Sequence, residues 1–560
     1  MTLVAGVDIG NATTEIVIAD ERGTPVRWDR RPTRGIKGSL PSGAGAARLL
    51  ARMEVSLGRR ADLVALTAQS PVTTLSAELP EPALHTGRVV ILSTGSSTPA
   101  GAGLGAGRPV DIASTPSGSG EDIVLVARDP LGYRATVARV RAWLDAGHPV
   151  VGILLAGDEA VLVSSRLDRA LPVADCIDPE AVLSCARVLV EVAPPGDQVR
   201  AASDPIRLSA ALGLDPAEHA GAVAACARTQ GSRSAVLGVL AHVRAEPPRA
   251  EHPGPEAWVE WAGTARRALR DAGKPLASRP LDVPVTFRLP RSGPVTAADL
   301  WLVDLDMVAG LPGLHPGTLA KRTVIVSAIT PGAGADQHVV GFRQEHVGPI
   351  RVVSSEAEAG RLGALTTPGA SGNACVIDLG GGSVDATRIG RDGLRIVSAA
   401  GSGSMLTIAV AEALGIATGM AEWVKRGPAS RIESPHVAVR ETGVREFLEP
   451  AAPSGTVGWL TSPGPGGPLP FASMLELGQW RAVRQTLKRA VFVDNLSRVL
   501  RDLGAPAGDL LLVGGPAGDD ELLDSINGVL PGMAAGRGNV AGRLGHRWSV
   551  AYGLVLAALG

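Results

Sequence analysis

The sequence predicts an α/β protein in which two related half-domains face each other across one anion site, and three stretches carry that reading. The first is Asn373-Ala-Cys-Val-Ile-Asp-Leu-Gly-Gly-Gly-Ser-Val-Asp385. Its apolar run, Ala374 to Ile377, reads as a buried strand that delivers Asp378 into three glycines, a small hydroxyl and a second acid. Glycines let backbone N–H groups turn toward an anion at close range, and a carboxylate at the strand end can hold hydrated Mg²⁺ against the same phosphates. A turn of this kind is weak evidence alone. The second stretch, Val4-Ala-Gly-Val-Asp-Ile-Gly-Asn-Ala-Thr-Thr-Glu15, repeats its design: strand, Asp8, Gly10, small polar residues and Glu15. The third, Leu510-Leu-Leu-Val-Gly-Gly515, is a strand running into paired glycines, as expected where backbone lies flat against an adenine or ribose.

Composition bounds the reading. A chain of 560 residues is expected to form three or four domains. Lys plus Arg, 54, balances Asp plus Glu, 55, so the basic excess that nucleic-acid or membrane surfaces call for is missing. The opening Met1-Thr-Leu-Val-Ala-Gly-Val-Asp8 has no basic n-region, and no apolar run has the length of a membrane span, so the expected location is cytoplasmic. Cys176, Cys185, Cys226 and Cys375 lack metal-ligand spacing and read as buried thiols.

Taken in order, Arg34-Gly-Ile-Lys-Gly-Ser39 is a polar turn whose Lys37 either reaches a phosphate or is a solvated loop lysine. Residues 43–57 read as a helix and Asp62 to Thr67 as a strand. The pattern breaks around Pro80 to Gly87, where a separate segment begins. Val89 to Leu92 is a strand leading into the Gly-rich stretch Ser93 to Gly105, read as a loop because no helical run follows it. Arg134 to Ala146 reads as an amphipathic helix. Val150 to Leu155 and Leu171 to Ala174 read as strands, with Asp158 and Asp175 at their C-terminal ends. Acids so placed either share a metal ion or serve as caps and turn residues.

Prolines from Pro247 to Pro284 mark a connector, interrupted by a predicted helix over Trp258 to Ala272. Ile350 to Val353 reads as a strand and Ser355 to Leu365 as a small-residue helix suited to close packing or an interdomain hinge. Gly401-Ser-Gly-Ser-Met405 opens a helix to about Leu414, with a possible anion site at its N-terminus. Residues 427–478, rich in Pro and Gly, read as a surface insertion. Trp480 to Leu503 is a long helix with Val483, Leu487, Val491, Leu496, Leu500 and Leu503 on one stripe, stopped by Gly504. Ala535-Gly-Arg-Gly-Asn-Val540 precedes a closing helix, Val550 to Leu559.

The three glycine-bearing stretches, in their order, resemble the actin, Hsp70 and sugar-kinase ATPase superfamily. Further runs are similar to the large subunit of diol or glycerol dehydratase reactivase. They include Gly35-Ile-Lys-Gly38, Thr98 to Gly105, Val161 to Leu167, Glu356-Ala-Glu-Ala359, Leu362-Gly-Ala-Leu-Thr-Thr-Pro-Gly369 and Ala535-Gly-Arg-Gly-Asn539. The resemblance implies an actin-like ATPase fold in three parts, 1–85, 299–426 and 479–560, carrying a swivelling domain at 86–228, a linker region at 229–298 and an insert at 427–478. It also implies a chaperone that uses ATP and Mg²⁺ to expel damaged cofactor from an inactivated adenosylcobalamin-dependent dehydratase. The implied assembly is an α2β2 complex with a small reactivase subunit, cytoplasmic and open to association with a bacterial microcompartment.

Site residues follow from the same resemblance. Asp8 and Asp378 become the catalytic acids. Asn11, Ala12, Thr13, Gly380, Gly381, Gly382, Ser383, Gly514 and Gly515 become the ATP/ADP contacts, and Thr98, Asp158 and Asp175 the metal ligands of the swivelling domain. Residues 230–350 match the family poorly, and Ser404 stands where an acid is expected. Two other classes compete: a small-molecule kinase, which needs a base for a substrate hydroxyl that no motif supplies, and an actin-like filament, which needs a self-complementary surface.

Overall fold

The computed structural model describes the chain except for residues 1, 68–71, 79–83, 87, 95–98, 116–119, 129–131, 158, 176, 195–196, 242–256, 291, 310, 312–313, 315–322, 331–336, 354, 392, 454, 505–507 and 531. Two five-stranded sheets repeat one topology. The first runs Ile350–Val353, Leu63–Thr67, Leu3–Ile9, Thr13–Asp20, Pro25–Pro32; the second runs Ala535–Arg537, Leu510–Val513, Cys375–Leu379, Ser383–Gly390, Gly393–Ala400. In each, a strand continues through a hairpin into two antiparallel neighbours, while its other flank carries two parallel strands.

Leu3–Ile9 is apolar on both faces because both are covered. Leu49, Leu50 and Met53 of helix Leu40–Leu57 pack on one side, and Tyr552 and Val555 of helix Ser549–Leu559 belong to the core on the other. The first of these helices begins three residues before the predicted start, since Pro41 is tolerated in a first turn, and it ends on Gly58 at φ 67°. The predicted small-residue helix forms at Glu356–Ala364 and crosses Ser549–Leu559 at backbone contact. A Cβ on Gly363 would lie 1.9 Å from the Ser549 carbonyl oxygen, and one on Gly553 1.7 Å from that of Ala359. This crossing joins the two half-domains, because Glu356–Ala364 leads from the first sheet into the second.

An eight-stranded sheet forms the segment between them, in the order Val173–Ala174, Val150–Leu155, Ile123–Ala127, Gly103–Asp111, Cys185–Val192, Ser234–Leu240, Val89–Thr94, Leu84–Thr86. Two expectations change here. The Gly-rich stretch is not loop throughout, since its last glycines enter strand Gly103–Asp111, where a Cβ on Gly105 would meet the Val151 carbonyl oxygen at 2.1 Å. The strand Ser234–Leu240, beyond the boundary drawn at 228, pairs inside this sheet.

The predicted helix over Trp258 to Ala272 is absent. Trp258–Trp261 and Arg267–Ala268 are strands, followed by a 3-10 turn at Leu269–Asp271. With Val285–Arg288 and Val295–Ala297 they make a four-stranded antiparallel sheet. Trp-Val-x-Trp mimics a helical spacing, but these are strand-favouring residues, and Gly263 at φ 79° turns the chain back on itself. The insertion at 427–478 likewise holds a five-stranded sheet, Arg445–Phe447, Val437–Arg440, Ser430–Ser434, Leu460–Gly464, Gly467–Ala472.

The long helix runs Leu477–Lys488, a π turn at Arg489–Val493 and Asp494–Leu503, up to Gly504. All six residues of the predicted stripe are buried. Cys185, Cys226 and Cys375 are buried thiols, pushed up by burial to about 11, about 12 and about 11; Cys176 lies outside the described residues. Among the described residues no single helix is long and apolar enough to cross a membrane.

Candidate functional site

Each half-domain presents the same hairpin. Gly10 N–H donates to the Thr13 carbonyl at 2.9 Å, and Gly380 N–H donates to that of Ser383 at 3.0 Å. Asp8 stands opposite Glu15 across the first hairpin as Asp378 does opposite Asp385 across the second. In each, the hydroxyl two residues before the second acid donates to it: Thr13 Oγ1 to Glu15 at 3.2 Å and Ser383 Oγ to Asp385 at 2.8 Å. The shared spacing in sequence is therefore one structural unit used twice.

The hairpin tips meet. A Cβ on Gly381 would lie 3.1 Å from the Ala12 nitrogen, and one on Gly382 only 2.6 Å from Asn11 Nδ2. A side chain at 382 would have to displace Asn11 and press on Val72, and one at 381 would sit tight against Ala12, so the glycines favour this close approach. Asn11 Nδ2 is held in turn by the Val72 carbonyl.

Behind the tips lies a carboxylate cluster in which Glu15 is buried and Asp8, Asp378 and Asp385 are half-buried. Asp8 is held well above the usual carboxylate range by burial and then by the Glu356 charge, and its Oδ1 has no hydrogen-bond partner. Burial, then the charges of Asp385 and Glu356, pushes Asp378 up to about 7, although Ser549 Oγ donates to it at 3.3 Å. Burial raises Glu15 to about 6 against the opposing Arg547 guanidinium. Burial and then Glu356 also raise Asp385, which accepts hydrogen bonds from Ser383 and Ser398. Among the described residues no three such groups converge to ligate one ion directly. An unpartnered buried oxygen among acids reluctant to ionise fits a hydrated divalent cation held through water.

The sign of the pH dependence follows. Native values of about 7 for Asp378 and about 6 for Glu15 exceed the roughly 4 of unfolded carboxyls, so the folded state binds more protons between these limits. Their contribution to stability is fully present below about pH 4 and is lost as pH rises through about 7. Thermal unfolding of metal-free protein is expected at lower temperature at pH 8 than at pH 6 from this cluster. Asp378→Asn should flatten that dependence, and an unaltered slope would contradict it.

Lys37 is not the solvated loop lysine of its second sequence reading. It is 7 % exposed, and its Nζ donates to the Glu356 carboxylate at 2.8 and 3.0 Å. Burial opposes its charge, but Glu356, Asp8 and Asp385 outweigh that and hold it above its ordinary value. The helix opened by Gly401-Ser-Gly-Ser-Met405 is no open anion site. Gly401, Gly403 and Ser404 spend their N–H groups on the carbonyls of Gly382, Gly380 and Gly381, clamping the second hairpin from behind.

The paired glycines lie beside the cluster. Gly514, at φ 89°, has no room for a Cβ, which would sit 2.4 Å from Asp378 Oδ1 and 2.2 Å from the Leu379 carbonyl oxygen. A Cβ on Gly515 would lie 2.9 Å from Arg547 Nη1. Sequence reading missed Glu356, Arg547 and the Glu422–Lys425 pair, whose 2.7 Å contact sits beside Thr407 and the Gly403 carbonyl. Glu356 and Lys37 are opposite charges in two of the family-like runs, the one signal that could have joined them.

Of the three residues expected to hold a metal ion in the swivelling domain, Thr98 and Asp158 lie outside the described residues. Asp175 is fully buried at the end of strand Val173–Ala174, and its Oδ2 accepts from Ala160 N–H at 3.1 Å, at the start of helix Ala160–Ser164.

A sequence profile described as the diol dehydratase reactivase ATPase-like domain matches residues 327–558, and one described as the DD-reactivating factor swiveling domain matches 89–240. The chain belongs to the diol dehydratase reactivase family. Within that family it is 28% identical to the propanediol dehydratase-reactivating factor large subunit of Salmonella typhimurium over 615 residues, covering 100% of this chain and 98% of that protein. It is equally 28% identical, over 614 residues and with the same coverage, to the diol dehydratase-reactivating factor large subunit of Klebsiella michiganensis. Its fold is similar to the nucleotide-free structure of diol dehydratase-reactivating factor, with 26% identity, TM-score 0.55 and 100% of each chain covered. It is also similar to that of glycerol dehydratase reactivase, with 25% identity, TM-score 0.56 and 99% of each covered. The two profiles leave 1–88 and 241–326 unmatched, and they match 230–240 and 327–350, the two ends of the stretch expected from sequence to match poorly.

Proposed function

We propose that the chain is the large subunit of an ATP-driven reactivase that, with a small subunit, releases damaged cobalamin from inactivated adenosylcobalamin-dependent diol or glycerol dehydratase. The observation that carries the ATPase half of this reading is the facing pair of carboxylate–hydroxyl hairpins with the same layout. The relatives' names carry the dehydratase half.

In this reading Asn11, Ala12, Thr13 and Gly380 to Ser383 surround the phosphates, gripping them through the backbone N–H groups that the two turns do not already spend on their own carbonyls, and Gly514 and Gly515 lie against the nucleoside. Asp8 and Asp378 hold Mg²⁺ through water. Bound Mg²⁺ supplies the positive charge that the acid cluster and a triphosphate both lack. Because the hairpin tips belong to different half-domains and touch, hydrolysis changes what the tips close upon. The helix crossing at Gly363 and Gly553 is the shared element through which that difference passes. Nucleotide states can drive exchange of the small subunit only through differential affinity for them. Calorimetry with ATP and ADP in the presence of Mg²⁺ tests the nucleotide half, and no binding by the wild-type protein would contradict it.

The domain division drawn from sequence belongs to the same reading, with the swivelling domain extended to include Ser234–Leu240. Thr98, Asp158 and Asp175 are its metal ligands; Asp175 is buried, so the small subunit would meet the ion and not Asp175 itself. In support, Ala100 pairs with Val173, each two residues from Thr98 and Asp175 along the chain, and Val150–Leu155 lies parallel beside Val173–Ala174. Small-subunit affinity of Asp158→Ala and Asp175→Ala proteins should fall and lose its Mg²⁺ dependence, while ATP binding survives. Unchanged affinity in both would leave these acids as caps and turn residues.

A further inference from the structure

A cleft of about 310 Å³ lies between the edge strand Pro25–Pro32 and helix Leu40–Leu57, on the first half-domain. Arg31, Arg34, Arg48 and Arg52 line it, with Thr14 on its wall. Successive residues of a strand point to opposite faces, so Thr14 looks away from the side where Thr13 and Glu15 meet the acid cluster. The cleft is thus a separate space behind the first hairpin.

Its charge is largely unanswered. Arg48 pairs with Glu345 at 2.7 Å and Arg31 reaches Asp29 only at 3.9 Å, while among the described residues Arg34 and Arg52 have no ion pair. Guanidinium forks match phosphate oxygens two at a time, and several converging forks favour a ligand with more than one negative charge. In this chain of balanced composition, such a concentration of arginines around a cavity is a local feature.

We propose that this cleft is a second anion site, for a small phosphate-bearing ligand with two or more negative charges, and that its occupancy is felt at the first hairpin. Two connections run there. Thr14 Oγ1 lies 3.0 Å from Thr33 Oγ1, which donates to the Gly10 carbonyl at 2.7 Å, while Thr33 N–H donates to the Ala12 carbonyl at 3.0 Å. One residue that touches the cleft wall therefore holds the backbone of the turn from Gly10 to Thr13. The second connection is the turn opened by Arg34, whose Lys37 is locked to Glu356 in the acid cluster. Drawing Arg34 onto an anion moves the segment that carries Lys37. The coupling rests on the nucleotide reading above; the anion site does not.

Pyrophosphate is the probe, titrated by calorimetry at fixed ionic strength into the full chain and into the Arg34→Ala/Arg52→Ala protein. Both positions are exposed and outside the acid cluster, so folding should be unaffected, which circular dichroism checks. The wild type should bind, and the double variant should bind about tenfold or more weaker. Equal affinity in both overturns the site, as does binding of poly-glutamate in place of pyrophosphate, which would make the cleft a protein-docking surface. Saturating pyrophosphate should then shift wild-type ATP affinity by about fivefold or more, with a much smaller shift in the double variant. An equal shift in both means direct competition at the hairpins and overturns the coupling. If the wild type binds no ATP, the nucleotide reading fails while the pyrophosphate comparison still decides the site.

Discussion

Asp378→Asn and Asp8→Asn each lower ATP hydrolysis by on the order of 10²-fold or more, the effect of removing one preorganised electrostatic group from a phosphoryl-transfer site. Phosphate release under saturating ATP and Mg²⁺ is the measurement. The substitution keeps the shape of each side chain and removes the charge that would hold the metal's water. Because both acids are desolvated and held above the usual carboxylate range, neutralising either should leave the metal-free protein folded and as stable as the wild type, or more so, near neutral pH. Full hydrolysis by both variants would remove these acids from the mechanism.

Asp299→Ala is expected to destabilise the protein by about 3–5 kcal/mol, the cost of breaking a buried ion pair by removing one partner. Asp299 is 1 % exposed and answers two buried arginines. Its Oδ1 accepts from Arg279 and, at 2.9 Å, from Arg498; its Oδ2 accepts from Arg498 at 2.6 Å and from Ala400 N–H at 2.7 Å. Removing it strands two guanidiniums whose charges already oppose each other. The network ties Arg279 to the long helix and to the edge strand Gly393–Ala400, so its loss loosens the segment around Arg279 from the second half-domain. Urea unfolding of Asp299→Ala, with Asp299→Asn as the isosteric comparison, measures the effect. A change under about 1 kcal/mol for both would show that the network carries little.

What the sequence made legible is what local spacing controls. The two hairpins were visible because Asp-x-Gly and a following hydroxyl and acid lie within a few residues, and the long helix because its apolar stripe is continuous. Interactions across the chain were not. Lys37 looked like a loop residue since its partner Glu356 lies 319 residues away, and burial turns that pair into part of the acid cluster. Asp299 sits 199 residues from Arg498, with nothing at either position to signal the other. The region from Trp258 misled because Trp-Val-x-Trp satisfies a helical spacing over one turn, while its true partners, Val285 and Phe287, follow after three prolines, Pro275, Pro280 and Pro284, that mimic a linker. The N-terminus of helix Gly403–Leu414 misled for a different reason. Its N–H groups are satisfied by carbonyls of the neighbouring hairpin, contacts that exist only once the two segments have folded together.

The most direct test of the account is restoration of activity. Dehydratase inactivated by glycerol or by bound cyanocobalamin is incubated with this chain, its small subunit, ATP, Mg²⁺ and fresh adenosylcobalamin, and turnover is followed. Activity should return with ATP, and fail to return when ATP is omitted or when Asp378→Asn replaces the wild type. Recovery with an established reactivase but none with this chain would contradict the assignment, and equal recovery without ATP would contradict the role given to the two hairpins.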